Sequence, residues 1–409
     1  MSNTITAARQ VIFDKELVKK IKRLESLASP GSYATFRGEQ ESLTVTFHNG
    51  KNCEIETRRK LDVPCGGAFD FTIKGKSIMD ILKAFDEVTV TIREKTLSFQ
   101  SGHAKMNRNI EKDAPKSSFP DFSKAELSPL PRTTFRDAAF ASYATAQGGE
   151  FDAAERVSVL LKDDTVSIVA TNSLMAVCVV SPANYKGGET EYMLHPRFIE
   201  PLAPLTMKEE APNVLIGKTD NRYLVKFGDY EITSRIPASP SVRGSIEGSL
   251  ERIASVPTMS LNLSAAPLKM FFERAKLLDE GATQVSPVVF LVKPDENVVI
   301  AKHVSPLGDI QDLFEADVSG TPMPNMPIGF SLKYITDVFA HLRSNDAQMA
   351  IRGQRSMITL TEEVDETVIT HILLPVVPRT GTDDMQAKKE DVLPAKPDNS
   401  TVSSSDFED

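Results

Sequence analysis

One stretch near the end of the sequence decides the fold: Leu332-Lys-Tyr-Ile-Thr-Asp-Val-Phe-Ala-His-Leu342, followed by Met349-Ala-Ile351 and Met357-Ile-Thr-Leu360. Apolar residues recur at helical spacing in the first segment, whereas the two later segments are short and alternate between apolar and polar residues. The spacing predicts an amphipathic helix that is followed by two short strands.

The same order of patterns occurs twice earlier in the chain. Ser77–Phe85 and Arg197–Leu202 each match the helical segment, and short alternating runs follow both of them. The equivalent residues Ile78, Phe198 and Tyr334 are 120 and 136 residues apart. Similar segments at a near-constant period predict tandem structural units.

A second helical segment with its own short strands precedes each copy: Leu17–Leu24, Phe135–Phe140 and Leu268–Leu278. We therefore expect an α+β protein with three tandem domains, each with two helices and two small antiparallel sheets. The length of 409 residues is sufficient for two to four domains. In the middle copy, Pro201 and Pro204 are expected to break or shorten the helix.

Two stretches with many turn-forming residues, Pro120–Pro131 and Ser239–Pro257, are expected to be linkers. The residues after Arg379 are mostly polar and acidic, and this composition predicts a disordered tail. The predicted boundaries are 1–128, 129–256 and 257–378 for the three domains and 379–409 for the tail.

The charge of the chain is distributed unevenly. The net charge of −9 alone would argue against nucleic acid as a partner. However, the helical segments together carry +9, so the remainder carries −18; the segments are 14–28, 74–85, 132–142, 195–208, 265–278 and 331–343. Helices that share one surface would form a basic stripe on an acidic body. The alternative is that helices simply tolerate Lys and Arg well.

Motifs of catalysis and metal binding are absent from the sequence. It contains no GxSxG, no HExxH and no paired CxxC. Gly217-Lys218-Thr219 resembles the end of a phosphate loop, but Pro212 stands where that loop requires glycine, so we predict a strand end and a turn. Three cysteines without CxxC spacing favour a reducing cytoplasm. We expect neither a cofactor nor an enzymatic activity.

Four local strings carry a resemblance to a known family. Ile168–Cys178 resembles a TDGHRLA-type stretch, although it is one residue shorter and lacks the Gly-His-Arg. Ser234-Arg-Ile236 with Pro240–Arg243, Gly329–Val338 and Thr370–Pro378 are similar to later motifs. Their order and spacing over residues 10–378 resemble the beta sliding clamp family of bacterial DNA polymerase III. The departures predict a divergent member, and a phage origin is one hypothesis for the divergence.

The resemblance implies the DNA clamp fold in a homodimeric ring that closes head to tail. Twelve helices would line the hole and hold double-stranded DNA by its phosphates, without reading sequence. DNA polymerase, the clamp loader and repair proteins would bind through short peptides in an apolar cleft between the middle and last domains, and no membrane is involved. The candidate DNA contacts are Lys15, Lys19, Lys20, Arg23, Lys76, Lys83, Arg136, Arg197, Lys269, Arg274, Lys276 and Lys333.

The resemblance also implies residues for the peptide cleft and the protomer interface. The cleft residues would be Leu161, Thr171, Met175, Pro240, Ser331, Tyr334, Ile372, Leu374, Pro375 and Val376. The interface would involve Met106, Leu277 and Leu278, and Arg108 where the family often has a second apolar residue. The missing Gly-His-Arg around Ser173 implies an altered peptide specificity.

Two other classes of function stay open at this point. A β-rich enzyme with a novel site would need a convergent polar pocket, and a non-ring structural or scaffold repeat protein would lack an inward basic face. The tail over 379–409 is expected either to modulate access to the cleft, to recruit a partner, or only to increase solubility.

Overall fold

The computed structural model describes residues 9–50, 54–146, 152–208, 213–237, 257–280, 287–321, 327–353 and 356–376. The chain divides into two compact units. The first unit comprises Met1–Ala170 and Val179–Val242, and the second comprises Thr171–Cys178 and Arg243–Asp409. The described residues contain six α-helices and antiparallel sheets, so the predicted α+β class is confirmed. None of these helices is long and apolar enough to cross a membrane.

The first unit contains four helices and the first sixteen strands. The helices are α1 (Lys15–Leu27), α2 (Gly75–Lys83), α3 (Thr133–Ala141) and α4 (Pro196–Lys208). The strands are β1 (Arg9–Asp14), β2 (Tyr33–Gly38), β3 (Leu43–His48), β4 (Ile55–Leu61), β5 (Phe69–Lys74), β6 (Glu87–Ile92), β7 (Thr96–Ser101), β8 (Ala104–Asn109), β9 (Leu127–Pro131), β10 (Val157–Lys162), β11 (Thr165–Thr171), β12 (Met175–Pro182), β13 (Thr190–Leu194), β14 (Asn213–Lys218), β15 (Arg222–Phe227) and β16 (Tyr230–Arg235). The first residues of β12 belong to the second unit.

The second unit contains the remaining described elements. Its helices are α5 (Ala265–Asp279) and α6 (Leu332–His341). Its strands are β17 (Met259–Ser264), β18 (Pro287–Lys293), β19 (Val298–Ser305), β20 (Gly308–Gly320), β21 (Pro327–Ser331), β22 (Asp346–Ile351), β23 (Ile358–Val364) and β24 (Thr367–Leu373).

The order of the strands repeats three times along the chain. One four-stranded arrangement occurs as β5-β2-β3-β4, as β13-β10-β11-β12 and as β21-β18-β19-β20. Another occurs as β1-β6-β7-β8, as β9-β14-β15-β16 and as β17-β22-β23-β24. Each repeat therefore has two helices and two small sheets, as predicted. In the first unit, β4 pairs with β16 and joins the sheets of two repeats into one of eight strands.

Helix α1 shows how the sequence forms these helices. Asp14 caps its first turn, because a carboxylate oxygen (Oδ1) accepts a hydrogen bond from the Leu17 N–H at 2.7 Å. The buried residues Leu17, Val18, Ile21, Leu24 and Leu27 follow the helical period and pack toward the sheet. The basic residues of the same helix are consequently left on its exposed face.

Helix α4 continues through two prolines, so the prediction that they would break or shorten it was wrong. Pro201 and Pro204 both lie inside the thirteen residues of α4. Each removes one backbone hydrogen bond, whereas Pro196 occupies the first turn, where a missing N–H is tolerated. The buried face of α4, which includes Phe198 and Leu202, packs against α3. This tertiary packing outweighs the local cost of the prolines.

The predicted linker Pro120–Pro131 is partly a strand, which corrects that prediction. Its last five residues form β9, which pairs with β14 and lies at the edge of the eight-stranded sheet. Pro129 and Pro131 are tolerated there because an edge strand donates hydrogen bonds on one side only. The other predicted linker, Ser239–Pro257, lies outside the described residues except for Pro257.

Aromatic side chains form the core of the second unit. Phe271, Phe272, Phe290, Phe330 and Phe339 are all fully buried. The ring centroid of Phe272 lies 5.1 Å from that of Phe339 and 6.3 Å from that of Phe290. These contacts fix α5 against α6 and leave the opposite faces of both helices exposed.

Candidate functional site

The basic side chains of the helices are exposed, as their position opposite the apolar faces requires. Among the candidate DNA contacts only Lys269 is half-buried, and its amine (Nζ) lies 3.5 Å from the Leu342 carbonyl oxygen. The exposed candidates are Lys15, Lys19, Lys20, Arg23, Lys76, Lys83, Arg136, Arg197, Arg274, Lys276 and Lys333. All of them remain accessible to an anionic ligand.

The helices are less basic than the sequence segments predicted. Within their structural bounds they hold fourteen Lys and Arg residues and eight Asp and Glu residues, a net charge of +6 and not +9. Lys74, Arg132 and Arg343 fall just outside the helices, as does the acidic Asp14, whereas Asp279 falls inside α5. Half of the net charge belongs to α1, which therefore is the strongest phosphate-attracting element.

Several of the exposed cations already have an acidic neighbour. Lys15 lies 2.9 Å from Asp86 and Lys276 lies 2.8 Å from Glu273, and both pairs are solvent-exposed. Exposed pairs of this kind contribute little to stability, so a phosphate can replace the carboxylate. Within the described residues, the exposed candidate DNA contacts without an ion pair are Lys20, Arg23, Lys76, Arg197, Arg274 and Lys333.

An open cavity of about 580 Å³ lies in the first unit, where the end of α1 meets the start of α4. Arg156, His195 and Arg197 line it together with two glutamates. The buried Arg156 guanidinium is 3.6 Å from the Glu54 carboxylate. Burial lowers the pKa of His195, and the charge of Arg156 lowers it further. Because Arg156 and Glu54 in its lining form an ion pair, we assign no small ligand to the cavity.

The peptide cleft that the resemblance implies maps largely onto the second unit. The second unit contains Thr171, Met175, Ser331, Tyr334, Ile372, Leu374, Pro375 and Val376. Leu374 and Val376 are exposed, whereas Met175 and Ile372 are buried beneath the surface. Leu161 is a fully buried residue of the first unit, and Pro240 lies outside the described residues.

The predicted cleft did not include one exposed residue of this region, Leu174. Leu174 is 48% exposed and its carbonyl oxygen accepts a hydrogen bond from the Leu374 N–H at 3.1 Å. The Val376 N–H donates to the Gly329 carbonyl oxygen at 2.8 Å. We call Leu174, Leu374 and Val376 the apolar exit surface, because the described chain ends there. An exposed leucine inside a polar turn was the signal that could have identified Leu174.

Leu174 lies in a turn that is built around Asn172. The Asn172 side-chain oxygen accepts hydrogen bonds from the Leu174 and Met175 N–H groups at 3.0 and 2.9 Å. Ser173 has a positive φ of 74°, and its N–H donates to the Thr171 hydroxyl oxygen at 3.0 Å. An asparagine-centred turn therefore holds Leu174 at the surface.

β8 and part of β20 have a free hydrogen-bonding edge, as do β1, β5, β9 and β13, which also lie at sheet edges within the described residues. β8 pairs only with β7, and its side chains are exposed except for half-buried Arg108. Residues 308–315 of β20 pair only with β19, since β17 pairs with the other end of β20. The two edges have opposite charge, because β8 contains Lys105 and Arg108 whereas residues 308–315 contain Asp309, Asp312 and Glu315.

The predicted interface residues lie next to these edges. Met106 is on β8 and is 39% exposed. Leu277 is 67% exposed, and the Leu278 carbonyl oxygen accepts a hydrogen bond from the Ser305 hydroxyl at 2.7 Å. The hairpin of β19 and β20 adds Leu307, which is 63% exposed. Lys105 and Leu307 were missed because only pairing shows which edges are free.

In the first unit, the equivalent strands are already joined. Arg58 on β4 lies 2.5 Å from the Glu231 carboxylate on β16, and the Arg59 guanidinium stacks over the Tyr230 ring at 4.1 Å. Such cross-strand pairs of opposite charge stabilise an antiparallel joint and fix its register.

Among the described residues, no group of three or more His, Cys, Asp or Glu side chains could hold a metal ion.

The comparisons identify the fold. No family model matches the sequence, and no curated protein matches it as a relative. Solved structures do match, with 90% of this chain covered in each case. A DNA polymerase III beta chain from Streptococcus pneumoniae has 14% identity, a TM-score of 0.78 and 100% of its own chain covered. A DNA polymerase sliding clamp from Pseudomonas aeruginosa has 15% identity, a TM-score of 0.76 and 100% coverage.

A third similar structure is the DNA polymerase III beta subunit of Thermotoga maritima, with 15% identity, a TM-score of 0.73 and 99% of its chain covered. The likeness extends over all three repeats, although fewer than one residue in six is identical. The chain therefore has the fold of the bacterial DNA polymerase III beta subunits.

Proposed function

We propose that this protein is a DNA sliding clamp, a non-catalytic processivity factor that encircles duplex DNA and tethers other proteins to it. The observation that carries the proposal is the pair of free, oppositely charged edges, β8 and residues 308–315 of β20. A chain whose first and last repeats present free edges of opposite charge can close a ring with a second copy. The domains of this proposal are 1–128, 129–256 and 257–378.

The joint between β4 and β16 provides a template for ring closure. In the first repeat, Leu43 of β3 pairs with Leu61 of β4. At the corresponding first position of β19 in the third repeat, Val298 pairs with Glu315 of β20. Arg58 lies three residues before Leu61, and Asp312 lies three residues before Glu315. Asp312 of β20 therefore corresponds to the basic residue Arg58 of β4.

The other side of the joint can be aligned in the same way. Tyr230 begins β16 after its turn and pairs with Phe227, as Ala104 begins β8 and pairs with Ser101. One residue further along, Lys105 of β8 corresponds to Glu231 of β16.

The template therefore predicts which residues meet between the two copies. Lys105 of one protomer would face Asp312 of the other. This pair corresponds to Glu231 and Arg58, which join β16 to β4, but the charges are exchanged between the two strands. Arg108 would face Asp309 three residues along the strands. Both pairs are of opposite charge, so electrostatics would select this register and this partner. Met106, Leu277 and Leu278 would add apolar contact beside the strands.

The helices would face DNA in this ring. Two copies would contribute a helix charge of about +12, twice the +6 of one chain. Lys and Arg contacts to phosphates bind DNA without reading its sequence, and they let a protein slide along the duplex. The acidic remainder of the chain would prevent binding to DNA elsewhere on the surface.

Partner proteins would bind at the apolar exit surface. A polymerase, a clamp loader and repair proteins would each present a short peptide with one or two apolar side chains. Leu174, Leu374 and Val376 offer exposed apolar area for such anchors. The asparagine-centred turn at Ser173 would change which peptides are preferred.

The experiment that tests this function compares circular with linear DNA. The protein is mixed with a nicked circular plasmid at high salt, which weakens the charged joint, and is then diluted so that rings can close. On a large-pore column at moderate salt, a clamp elutes with the circular plasmid and is released when a restriction enzyme cuts it. Retention that cutting leaves unchanged would indicate ordinary DNA binding, and no retention at all would exclude the ring.

A further inference from the structure

The described chain ends on the apolar exit surface. Leu374 and Val376 are 41% and 40% exposed, and Leu174 beside them is 48% exposed. The hydrogen bond from the Val376 N–H to the Gly329 carbonyl oxygen holds the chain at this place. Thirty-three further residues, 377–409, therefore begin at the rim of an exposed apolar area.

The composition of this tail singles out one segment. Residues 377–409 hold four Lys and Arg residues and eight Asp and Glu residues. After residue 378, most apolar residues of the tail stand alone, as Met385 and Phe407 do. Val392-Leu393-Pro394-Ala395 is the one run of consecutive apolar residues there, and it follows Glu390-Asp391.

We propose that the segment Val392-Leu393-Pro394 of the tail binds the apolar exit surface of its own chain and competes there with partner peptides. The binding itself does not depend on the function proposed above. The regulatory consequence does rest on that function, because it requires that partners bind at this surface.

The length of the tail suits this contact. Val392 is the sixteenth residue after Val376, so fifteen residues lie between them. A flexible linker of that length has a root-mean-square span of about 22 Å. The segment can therefore reach a site beside Val376, and its local concentration there stays high. The effective concentration of a segment on such a linker is on the order of 1 mM. A segment that binds with a dissociation constant of about 0.1 mM would thus weaken a competing peptide about tenfold.

Charge also favours this segment. Lys333 is exposed in the first turn of α6, four residues after Gly329, and its amine lies 5.8 Å from the centroid of the Tyr334 ring. Glu390 and Asp391 directly precede the apolar run, so they can approach this cation when the run is bound. Phe407 also lies between acidic residues, but it is a single side chain at about twice the distance along the tail.

The test uses full-length protein and a fluorescein-labelled synthetic peptide with the sequence of residues 386–398. The variant Val392→Ser/Leu393→Ser frees the exit surface in the protein, and fluorescence anisotropy measures binding of the intact peptide. We expect this variant to bind the peptide about tenfold more tightly than the unmodified chain does. The matched control Phe407→Ser should bind it as weakly as the unmodified chain.

The site of binding is tested by adding Leu174→Ser to the double variant, which should abolish the gain. Equal affinity of the unmodified chain and the double variant, or a gain that survives Leu174→Ser, would overturn the proposal. Retention on circular DNA is measured with the same proteins. If retention persists while the peptide result fails, only the tail proposal is wrong; if retention is absent, the proposed clamp function is wrong independently of the tail.

Discussion

Arg58 of β4 and Glu231 of β16 face each other across the joint between the first two repeats, with their guanidinium and carboxylate groups 2.5 Å apart. The third repeat has an acidic residue, Asp312, at the position of Arg58, and β8 has a basic residue, Lys105, at the position of Glu231. The same joint with exchanged charges could therefore close between two copies of the chain. This relationship makes the ring a specific and testable arrangement.

The buried pair of Glu56 and Arg222 near this joint is expected to be important for stability. The two side chains are almost completely buried, with Nη2 and Oε1 3.4 Å apart. Burial raises the pKa of Glu56, and Arg222 opposes that rise. Glu56→Gln leaves the guanidinium buried without its counter-charge, so we expect the free energy of unfolding to fall by about 3 kcal/mol.

Denaturant unfolding measures this loss. The matched control is Asp70→Asn, which removes the same charge from the exposed pair with Arg37. Exposed pairs contribute little, so the control should change the unfolding free energy by less than about 1 kcal/mol. Equal losses in the two variants would show that Glu56 and Arg222 are not a critical pair.

The stability of the second unit should decrease as the pH falls below neutrality. His371 is fully buried, and burial lowers its pKa although the adjacent Glu362 carboxylate raises it. In the unfolded chain the imidazole takes up a proton near pH 6.5, whereas its lowered pKa means that the folded chain takes it up only at a lower pH. The unfolded state therefore binds more protons below pH 6.5, and stability is lost there, by at most about 1.4 kcal/mol per pH unit for this group.

The variant His371→Gln tests this assignment, because it removes the titrating group and keeps a hydrogen-bonding side chain. Unfolding between pH 7.5 and 5.5 should show a smaller decrease for this variant than for the unmodified protein. His48, whose pKa burial also lowers, lies in the first unit and would contribute to the pH dependence of that unit instead. An unchanged pH dependence in the variant would rule out His371 as a source of the effect.

Replacing a proline inside α4 by alanine is expected to stabilise the protein. Pro204 is exposed inside the helix, where proline is about 3 kcal/mol less favourable than alanine. Pro204→Ala should raise the free energy of unfolding by about 1–2 kcal/mol, since a less restricted unfolded chain offsets part of the gain. The control Pro196→Ala, at the first helical position, should bring no gain. Thermal unfolding of the two variants distinguishes the outcomes.

The exposed cations of α1 should determine how tightly the proposed ring holds DNA. Replacing Lys19, Lys20 and Arg23 by Gln is expected to weaken retention on circular DNA and to reduce its dependence on salt. The slope of log affinity against log salt should fall by about one unit for each phosphate contact that is lost. A salt titration of plasmid retention measures both effects.

The matched control replaces three exposed lysines on strands, Lys60, Lys162 and Lys218, by Gln. The net charge of the protein changes equally in both variants, so a general charge effect would weaken them equally. The prediction requires that only the helix variant loses retention.

The sequence alone predicted most of the fold. The periodic apolar residues around Ile78 and Tyr334 indicated α2 and α6, and alternation indicated most strands, because both patterns follow directly from one buried face. It failed where tertiary structure outweighs local preference. Pro201 was predicted to interrupt α4, but packing against α3 holds the helix together.

The candidate site could be predicted only in part. Exposed cations such as Lys20 and Arg23 were predicted, since charged residues opposite an apolar face must be solvated. Leu174 and Lys105 were missed, because their importance depends on a hydrogen bond to Leu374 and on the free edge of β8. Pairing between distant strands is a property of the folded chain and has no local signature in the sequence.

One measurement tests the central claim most directly: the solution mass, by light scattering, of two charge-exchanged variants and of their mixture. Lys105→Glu/Arg108→Glu makes both edges acidic, and Asp309→Lys/Asp312→Lys makes both edges basic. Each variant alone should be a monomer near 44.9 kDa, because like charges would face each other in both joints of the ring.

In an equimolar mixture, each edge of one variant meets an oppositely charged edge of the other at both joints. We predict a species of twice the chain mass that imaging shows as a ring, comparable to the dimer that we propose for the unmodified protein. Variants that dimerise alone, or that stay monomeric when mixed although both are folded, would contradict closure through Lys105, Arg108, Asp309 and Asp312.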